Sequence, residues 1–323
     1  MSNSKNILYL ISLMLLMLTG CEADTSIAPF PNEGEELVEV RLHATTVGAG
    51  VEVARANGET IPLPEDTQIG MTGGTYQNLT LNYNNSATPN LSTANGSKIY
   101  YPLQTETMNI YAYAPYSPEA YDEQDNTVLV RSLFDEQNTS RDHYITDPIW
   151  ATTAVTKEQA VNGVVSASLQ FKHVMSKLQI YLVNDTGEKT YSEIDLSLVF
   201  DRLQYGKMSM QTGEVTTANT REETYKRRLE NTNLLPQADT ATPQYDYTVF
   251  PGSVLQQIYI SMRDVNDNVW RYEYNFTADG NTSFPAFEAG KINRMIIDFG
   301  KIEHNRMNGI IEDFEFDNNE EEL

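Results

Sequence analysis

The residue types that most often carry chemistry, cysteine and histidine, are few in this chain and widely separated. Cys21 is the only cysteine in 323 residues, so neither an intramolecular disulfide nor a zinc site built from cysteines is available. The four histidines, His43, His143, His173 and His304, share no metal-ligand spacing. His173 lies on the apolar face of a predicted strand, where a histidine is usually structural. We therefore expect no metal site and no cofactor.

Other catalytic and ligand-binding patterns are also missing from the sequence. It contains no G-x-S-x-G nucleophile elbow, no P-loop and no G-x-G-x-x-G after a strand. The run 264–268 is superficially similar to a calcium loop, but Val269 stands where such a loop needs glycine, which favours a hairpin turn. Asp313 and Glu315 could serve a glycosidase, yet one such pair means little among 45 acidic residues. We expect a protein that is not an enzyme.

The residues that precede the single cysteine indicate a role for it. Lys5 is followed by an apolar run of twelve residues, 7–18, and then by Thr19, Gly20 and Cys21. This order is typical of a bacterial secretion signal, and the run is too short to span a bilayer, which needs about 20 residues. The ending resembles the lipobox of bacterial lipoproteins. The resemblance implies that Cys21 is acylated and anchors the mature chain in outer-membrane lipid. The alternative is an ordinary secretion signal with an incidental cysteine.

Acidic residues outnumber basic ones by a wide margin. The 45 Asp and Glu residues against 22 Lys and Arg residues give a formal net charge of -23. Nucleic acid is excluded as a partner because its binding requires clustered cations. The same charge disfavours electrostatic docking on anionic lipid, so acyl chains would have to supply the membrane attachment. An acidic surface suits a protein exposed on the cell envelope.

Period-two alternation of apolar and polar residues dominates the chain after residue 36. It is clearest in 38–42, 108–114, 178–182, 194–200 and, as a hairpin around 264–268, in 258–276. Alternation of this kind predicts antiparallel strands with one packed and one solvent-exposed face. The best helix candidate, 156–161, is short. The pattern therefore predicts an all-β protein built from β-sandwiches.

The chain divides into four predicted parts. A polar stretch of small residues, 151–166, separates two strand-rich halves. The predicted parts are a signal peptide (1–20), a tether (21–36), an N-terminal β-sandwich (37–160) and a C-terminal β-sandwich with an acidic tail (161–323).

Five short segments carry a further signal. They are 53–56 (V-A-R-A), 64–70 (P-E-D-T-Q-I-G), 98–102 with 110–116 (K-I-Y-Y-P and I-Y-A-Y-A-P-Y), 169–178 (L-Q-F-K-H-V-M-S-K-L) and 289–299, which begins A-G-K-I-N. In this order they resemble motifs of the fimbrillins of Bacteroidales, the lipoprotein-precursor subunits of type V pili. Glu65 replaces a usual glycine of the family, and Asn293 replaces a usual aromatic residue.

The resemblance implies two transthyretin-like β-sandwich domains in tandem and an assembly mechanism. In this family a trypsin-like protease cuts after an arginine, which removes the first strand and opens a hydrophobic groove. The C-terminal strand of another subunit then fills the groove, so the implied partners are other pilus subunits.

Mapped onto this sequence, the removable strand would be 38–42, and Arg55 is the preferred cleavage site, with Arg41 second. The alternative for Arg55 is an exposed turn residue. The candidate donor strand carries Ile310, Phe314 and Phe316 on one face, although Glu312 interrupts that face. The same segment could instead be the closing strand of the second sandwich.

Three further questions stay open at the level of sequence. The subunit could be a stalk, a tip or an anchor, and an unidentified host or bacterial surface ligand is a possible partner. A rival interpretation is a glycan-binding surface lipoprotein that does not polymerise, with Trp150 and Trp270 among its stacking platforms. Thr240, in the sequence D-T-A, resembles an O-glycosylation acceptor of this bacterial group.

Overall fold

The computed structural model describes residues 37–46, 52–54, 60–63, 67–131, 147–201, 205–217, 223–236, 242–276, 284–300 and 314–322. Strands dominate these residues, which confirms the predicted all-β class. A single-turn 3-10 helix, Lys157–Gln159, lies where the sequence favoured a short helix. Within the described ranges, no helix is long and apolar enough to cross a membrane.

Twenty-two strands follow one another along the described residues. The first eleven are β1 (Glu39–Thr46), β2 (Glu52–Ala54), β3 (Thr60–Pro62), β4 (Gln68–Gly73), β5 (Tyr76–Tyr83), β6 (Leu91–Thr93), β7 (Ile99–Tyr100), β8 (Thr107–Ala114), β9 (Tyr121–Asp122), β10 (Thr127–Arg131) and β11 (Ile149–Thr156). The others are β12 (Val164–His173), β13 (Ser176–Val183), β14 (Lys189–Phe200), β15 (Tyr205–Ser209), β16 (Val215–Thr217), β17 (Glu223–Leu234), β18 (Tyr245–Val249), β19 (Leu255–Asp264), β20 (Val269–Asn275), β21 (Lys291–Asp298) and β22 (Phe314–Glu322).

The first large sheet has eight strands in the order β6-β5-β4-β8-β11-β12-β1-β7. Its inner face is apolar because alternate residues of each strand point inward, as Met108, Ile110 and Ala112 do on β8. Strand β12 follows the predicted domain boundary and pairs with β1 and β11 of this sheet. The division into two sandwich domains stays a prediction.

Two four-stranded sheets share a second core. Their orders are β18-β13-β21-β22 and β17-β14-β19-β20. Leu178 on β13 and Met295 on β21 belong to the same buried cluster as Leu196 on β14 and Ile258 on β19. Apolar side chains from two sheets that meet in one cluster form a β-sandwich, so this part of the prediction is confirmed.

The run 264–268 is a hairpin turn, as predicted, and joins β19 to β20. The Asp264 carboxylate accepts hydrogen bonds from the backbone nitrogens of Asn266 and Asn268 and from Asn268 Nδ2, at 2.8 to 3.0 Å. Asp267 has a φ of 63°, a left-handed conformation that aspartate tolerates in turns. The acidic side chain is therefore engaged in holding the turn.

A smaller sheet, β16-β15-β10-β9, packs on the outer face of the eight-stranded sheet and forms a third apolar cluster around Trp150. Trp150 is only 5% exposed, and its Nε1 donates to the Met210 carbonyl oxygen at 2.9 Å. Gly213 lies against the indole ring, where a Cβ would come within 2.6 Å. Trp150 is therefore no stacking platform for sugars, and that expectation was wrong.

Strand β13 departs from the predicted alternation because both of its faces are buried. Gln179, expected on the solvent face, is as buried as its apolar neighbours, and so is Lys177. The strand lies inside its sheet, between β18 and β21. Its polar side chains have polar neighbours: Tyr181 OH donates to Gln179 Oε1 at 3.2 Å, and Asp147 Oδ2 lies 3.8 Å from Lys177 Nζ. Burial on both faces is possible because these polar groups are paired.

Candidate functional site

The first strand of the described chain is inserted into the eight-stranded sheet next to a strand that is far away in sequence. Strand β1 runs parallel to β12, and all eight residues are paired, from Glu39↔Val164 to Thr46↔Phe171. On its other side β1 pairs with β7 only through Glu39 and Val40. Because β1 is the first described strand, it can be withdrawn from the sheet without threading through another part of the chain.

The inward face of β1, together with Val38 directly before it, is apolar and fully packed. Val38, Val40, Leu42 and Ala44 are between 1% and 6% exposed and belong to the core of the eight-stranded sheet. Full burial of a valine or leucine side chain is worth about 1.5–3 kcal/mol, so the three larger side chains contribute on the order of 5–9 kcal/mol. If β1 left, the same area of the core would become a hydrophobic groove.

Beyond β7, the free edge of β1 is covered by a side chain. Asn90, 8% exposed, accepts a hydrogen bond from the Ala44 backbone nitrogen with Oδ1 at 2.8 Å. Its Nδ2 donates to the Ala44 carbonyl oxygen at 3.1 Å. One amide side chain thus satisfies both backbone groups of one residue, as the opposite residue of an antiparallel strand would. No sequence pattern singled out Asn90, because its partner is distant along the chain.

A charged cluster surrounds the start of β1. Glu39 Oε1 lies 2.9 Å from Arg41 Nε, and Glu39 Oε2 lies 2.7 Å from Lys98 Nζ. Hydrogen bonds from Arg41 and then from Lys98 hold the pKa of the Glu39 carboxyl below its ordinary value. The hydrogen bond with Glu39 raises the pKa of Lys98. Lys98 precedes β7, so this ion pair helps to join β7 to β1.

The two candidate cleavage sites lie in different settings. The Arg41 side chain is 45% exposed, but its backbone is paired with Ser166 in the middle of β1. A protease binds its substrate as an extended, unpaired segment, so this pairing would have to open first. Arg55 lies outside the described residues, directly after β2, which pairs with β3. Cys21 also lies outside the described residues.

The candidate donor segment ends as a strand at the edge of the second core. The backbone of β22 pairs antiparallel with β21, with Phe314 opposite Ile297 and Phe316 opposite Met295. Ile310 lies outside the described residues. This pairing is what a closing strand would show in an isolated chain, and it leaves the donor role as a proposal.

One buried cluster of titratable groups has the composition of a catalytic site. Asp147 Oδ2 lies 2.8 Å from His173 Nδ1 and 3.8 Å from Lys177 Nζ, and the three side chains are no more than 5% exposed. A catalytic dyad needs a reachable nucleophile or substrate, and burial prevents both. We assign the cluster a structural role at the passage from β12 to β13. Among the described residues, no three His, Cys, Asp or Glu side chains could hold a metal ion.

Four of the motif segments meet in pairs: 64–70 contacts 110–116, and 289–299 contacts 169–178. Gly70 lies directly under the Tyr113 ring, with no room for a Cβ. Tyr113 OH donates to the Ser117 carbonyl oxygen at 3.1 Å, while burial raises the pKa of Tyr113 to about 12. On β21, Asn293 Nδ2 donates to Ser176 Oγ at 3.1 Å. The motifs are therefore largely packing signatures.

Known proteins share the sequence pattern and the fold of this chain. Residues 55–313 match the sequence model of the family described as fimbrillin-like. No curated protein sequence matches the chain. A candidate cell adhesion protein from Bacteroides ovatus ATCC 8483 is similar over 83% of this chain and 94% of its own, with 17% identity and a TM-score of 0.53. Another, from Bacteroides uniformis ATCC 8492, is similar over 82% of this chain and 95% of its own, with 14% identity and a TM-score of 0.50. At these identities the structures support the fold alone. Since the family match extends over most of the sequence, the chain belongs to the fimbrillin-like family.

Proposed function

We propose that the chain is a structural or adhesive subunit of a type V pilus, assembled by protease-triggered donor-strand exchange. The observation that supports this most is the position of β1, the first described strand, whose apolar side chains complete a core together with Val38. Its removal would leave a groove of matching length and apolar character. Another subunit's strand would restore both the buried area and the backbone pairing with β12.

Residues outside the described part of the chain would provide export and attachment to the membrane. In this proposal, residues 1–20 direct secretion, and Cys21 is acylated and retained in the outer membrane, at least in the precursor. The acidic segment 21–36 then acts as the tether that places the fold at the cell surface. Two sandwich domains, 37–160 and 161–323, complete the subunit.

Arg55 is the better cleavage site because a cut there releases β1 whole, whereas a cut at Arg41 would divide it. The candidate donor strand of this chain, 310–316, would leave the edge of β21 to enter a neighbouring subunit. Stalk, tip and anchor roles differ in whether both events occur. The ligand of an adhesive subunit and glycosylation at Thr240 are separate questions that this proposal does not require.

The proposal is tested by limited digestion of residues 22–323 with a trypsin-like protease, read by intact mass and size exclusion. We expect one early cut after Arg55. The variant Arg55→Gln should lose this cut, whereas Arg41→Gln should keep it. Ladders of oligomers after the cut would indicate a stalk subunit that polymerises with itself, and a cut without ladders would indicate a tip subunit. Absence of any cut before residue 60 would reject the exchange mechanism and favour an anchor or the glycan-binding lipoprotein.

A further inference from the structure

The groove under β1 has a specific shape that its occupant must match. Val38, directly before β1, and Val40, Leu42 and Ala44 on β1 point inward, so three bulky apolar positions are followed by one small position. Interiors of proteins are close-packed, and a larger side chain at a small position forces neighbouring atoms to move. Ala44 is opposite Leu169 on β12, inside the same apolar cluster.

Asn90 adds a second requirement at the small position. Its amide holds both the nitrogen and the carbonyl oxygen of Ala44, at 2.8 and 3.1 Å. In a strand, every second residue directs its backbone groups to the same edge, so the amide can hold only alternate residues of an occupant. Asn90 therefore determines which alternate residues of an occupant strand point into the core. The small position at Ala44 then determines how far along the groove that strand is aligned.

The candidate donor strand of this chain does not meet these requirements. Aligned with the four positions, it offers Ile310, Glu312, Phe314 and Phe316. In either direction Glu312 occupies an internal position, where an unpaired carboxylate would be buried at high cost. Every other run of four alternate residues between 301 and 323 also contains at least one polar or charged side chain.

We propose that the groove under β1 accepts a strand from a different kind of subunit and not the 310–316 strand of a second copy. This inference rests on the proposed exchange function. The accepted strand carries three bulky apolar residues and one small residue at alternate positions, with the small residue held by Asn90. The chain would therefore be joined to an unlike subunit at this end and would not form a homopolymer.

Peptide competition tests this recognition without unfolding the protein. Residues 47–51 of the 22–323 chain are replaced by the recognition sequence of a specific endoprotease, and cleavage leaves the β1 fragment bound but exchangeable. A fluorescent peptide of residues 37–46 is then allowed to exchange in, followed by anisotropy. Unlabelled competitors are the same peptide, its Ala44→Phe variant, a peptide of residues 308–318, and that peptide with Glu312→Val and Phe316→Ala.

We expect the 308–318 peptide and the Ala44→Phe peptide to compete at least tenfold less well than the 37–46 peptide. The doubly substituted 308–318 peptide should recover most of the loss. In the protein, Asn90→Asp keeps the size of the side chain and its hydrogen-bond acceptor but replaces the donor. It should lower the affinity for the labelled peptide about tenfold, equivalent to about 1.4 kcal/mol. Asn85→Asp, a change of equal charge at an exposed asparagine, should have no effect.

The outcomes separate this inference from the function on which it rests. If the 37–46 peptide never enters the cleaved protein, β1 is not exchangeable and the proposed function is rejected. If it enters but the 308–318 peptide competes equally well, the function stands and selection against a second copy is rejected. Equal binding by the Ala44→Phe peptide and by the Asn90→Asp protein would reject the register mechanism.

Discussion

The buried cluster of Asp147, His173 and Lys177 makes a strong prediction about stability. Replacement of Asp147 with asparagine leaves the buried Lys177 ammonium without the carboxylate that lies 3.8 Å away. At an effective dielectric constant of about 20, this attraction is worth about 4 kcal/mol. Loss of one partner from a buried pair typically costs about 3–5 kcal/mol. We therefore expect Asp147→Asn to lower the free energy of unfolding by about 3 kcal/mol or more.

The measurement is urea unfolding followed by tryptophan fluorescence, since Trp150 lies close to the cluster on β11, with Lys172 Nζ 4.9 Å from its ring. Addition of Lys177→Met to Asp147→Asn should recover at least about 1 kcal/mol, because no charge is then left alone. The matched control is Lys207→Met, which breaks an exposed pair with Asp125 and should change the free energy of unfolding far less than Asp147→Asn does. Equal effects of Asp147→Asn and Lys207→Met would refute a special role for the buried cluster.

Three further predictions concern packing and charge around the same sheet. Leu42→Ala should lower the free energy of unfolding by about 2–5 kcal/mol in urea denaturation, since Leu42 is 1% exposed; a loss below about 1 kcal/mol would mean that β1 contributes little to the core. Gly70→Ala should cost about 1–3 kcal/mol by the same assay, because the new methyl group overlaps the Tyr113 ring. Glu39→Gln should change the pH dependence of the free energy of unfolding. Folding lowers the pKa of Glu39 from 4.5, so the unfolded chain takes up the proton first, and the stability that this carboxylate contributes is complete above pH 4.5 and lost as the pH falls further. Identical profiles of unfolding free energy against pH for wild type and Glu39→Gln would contradict this.

Local patterning predicted the strands well, because period-two alternation reports directly which face of a strand is buried. It placed β1, β8, β14 and the β19–β20 hairpin correctly. It was less informative for β13, where the polar Lys177 and Gln179 are buried. Alternation assumes that polar residues face water, whereas these two are buried beside polar partners.

The features that define the candidate site depend on contacts between distant parts of the chain. Three contacts each join residues that are far apart in the sequence. They are the parallel pairing of β1 with β12, the hydrogen bonds between Asn90 and Ala44, and the contact of Asp147 with His173. Single-sequence patterns report local preference and burial, not which distant partner satisfies a polar group. The motif segments were recognisable because packing restricts them, as Gly70 is restricted by Tyr113.

The parallel register of β1 and β12 has a mechanical consequence. Tension on the chain before β1 pulls on the N-terminal end of β1, while tension on the chain that follows β12 pulls on the C-terminal end of β12. These forces point in opposite directions along two parallel strands, so they shear the pair. In shear, the eight paired residues resist together, whereas peeling from one end would break them one after another. While β1 is in place, its pairing with β12 therefore resists tension far better than the strength of any single hydrogen bond suggests.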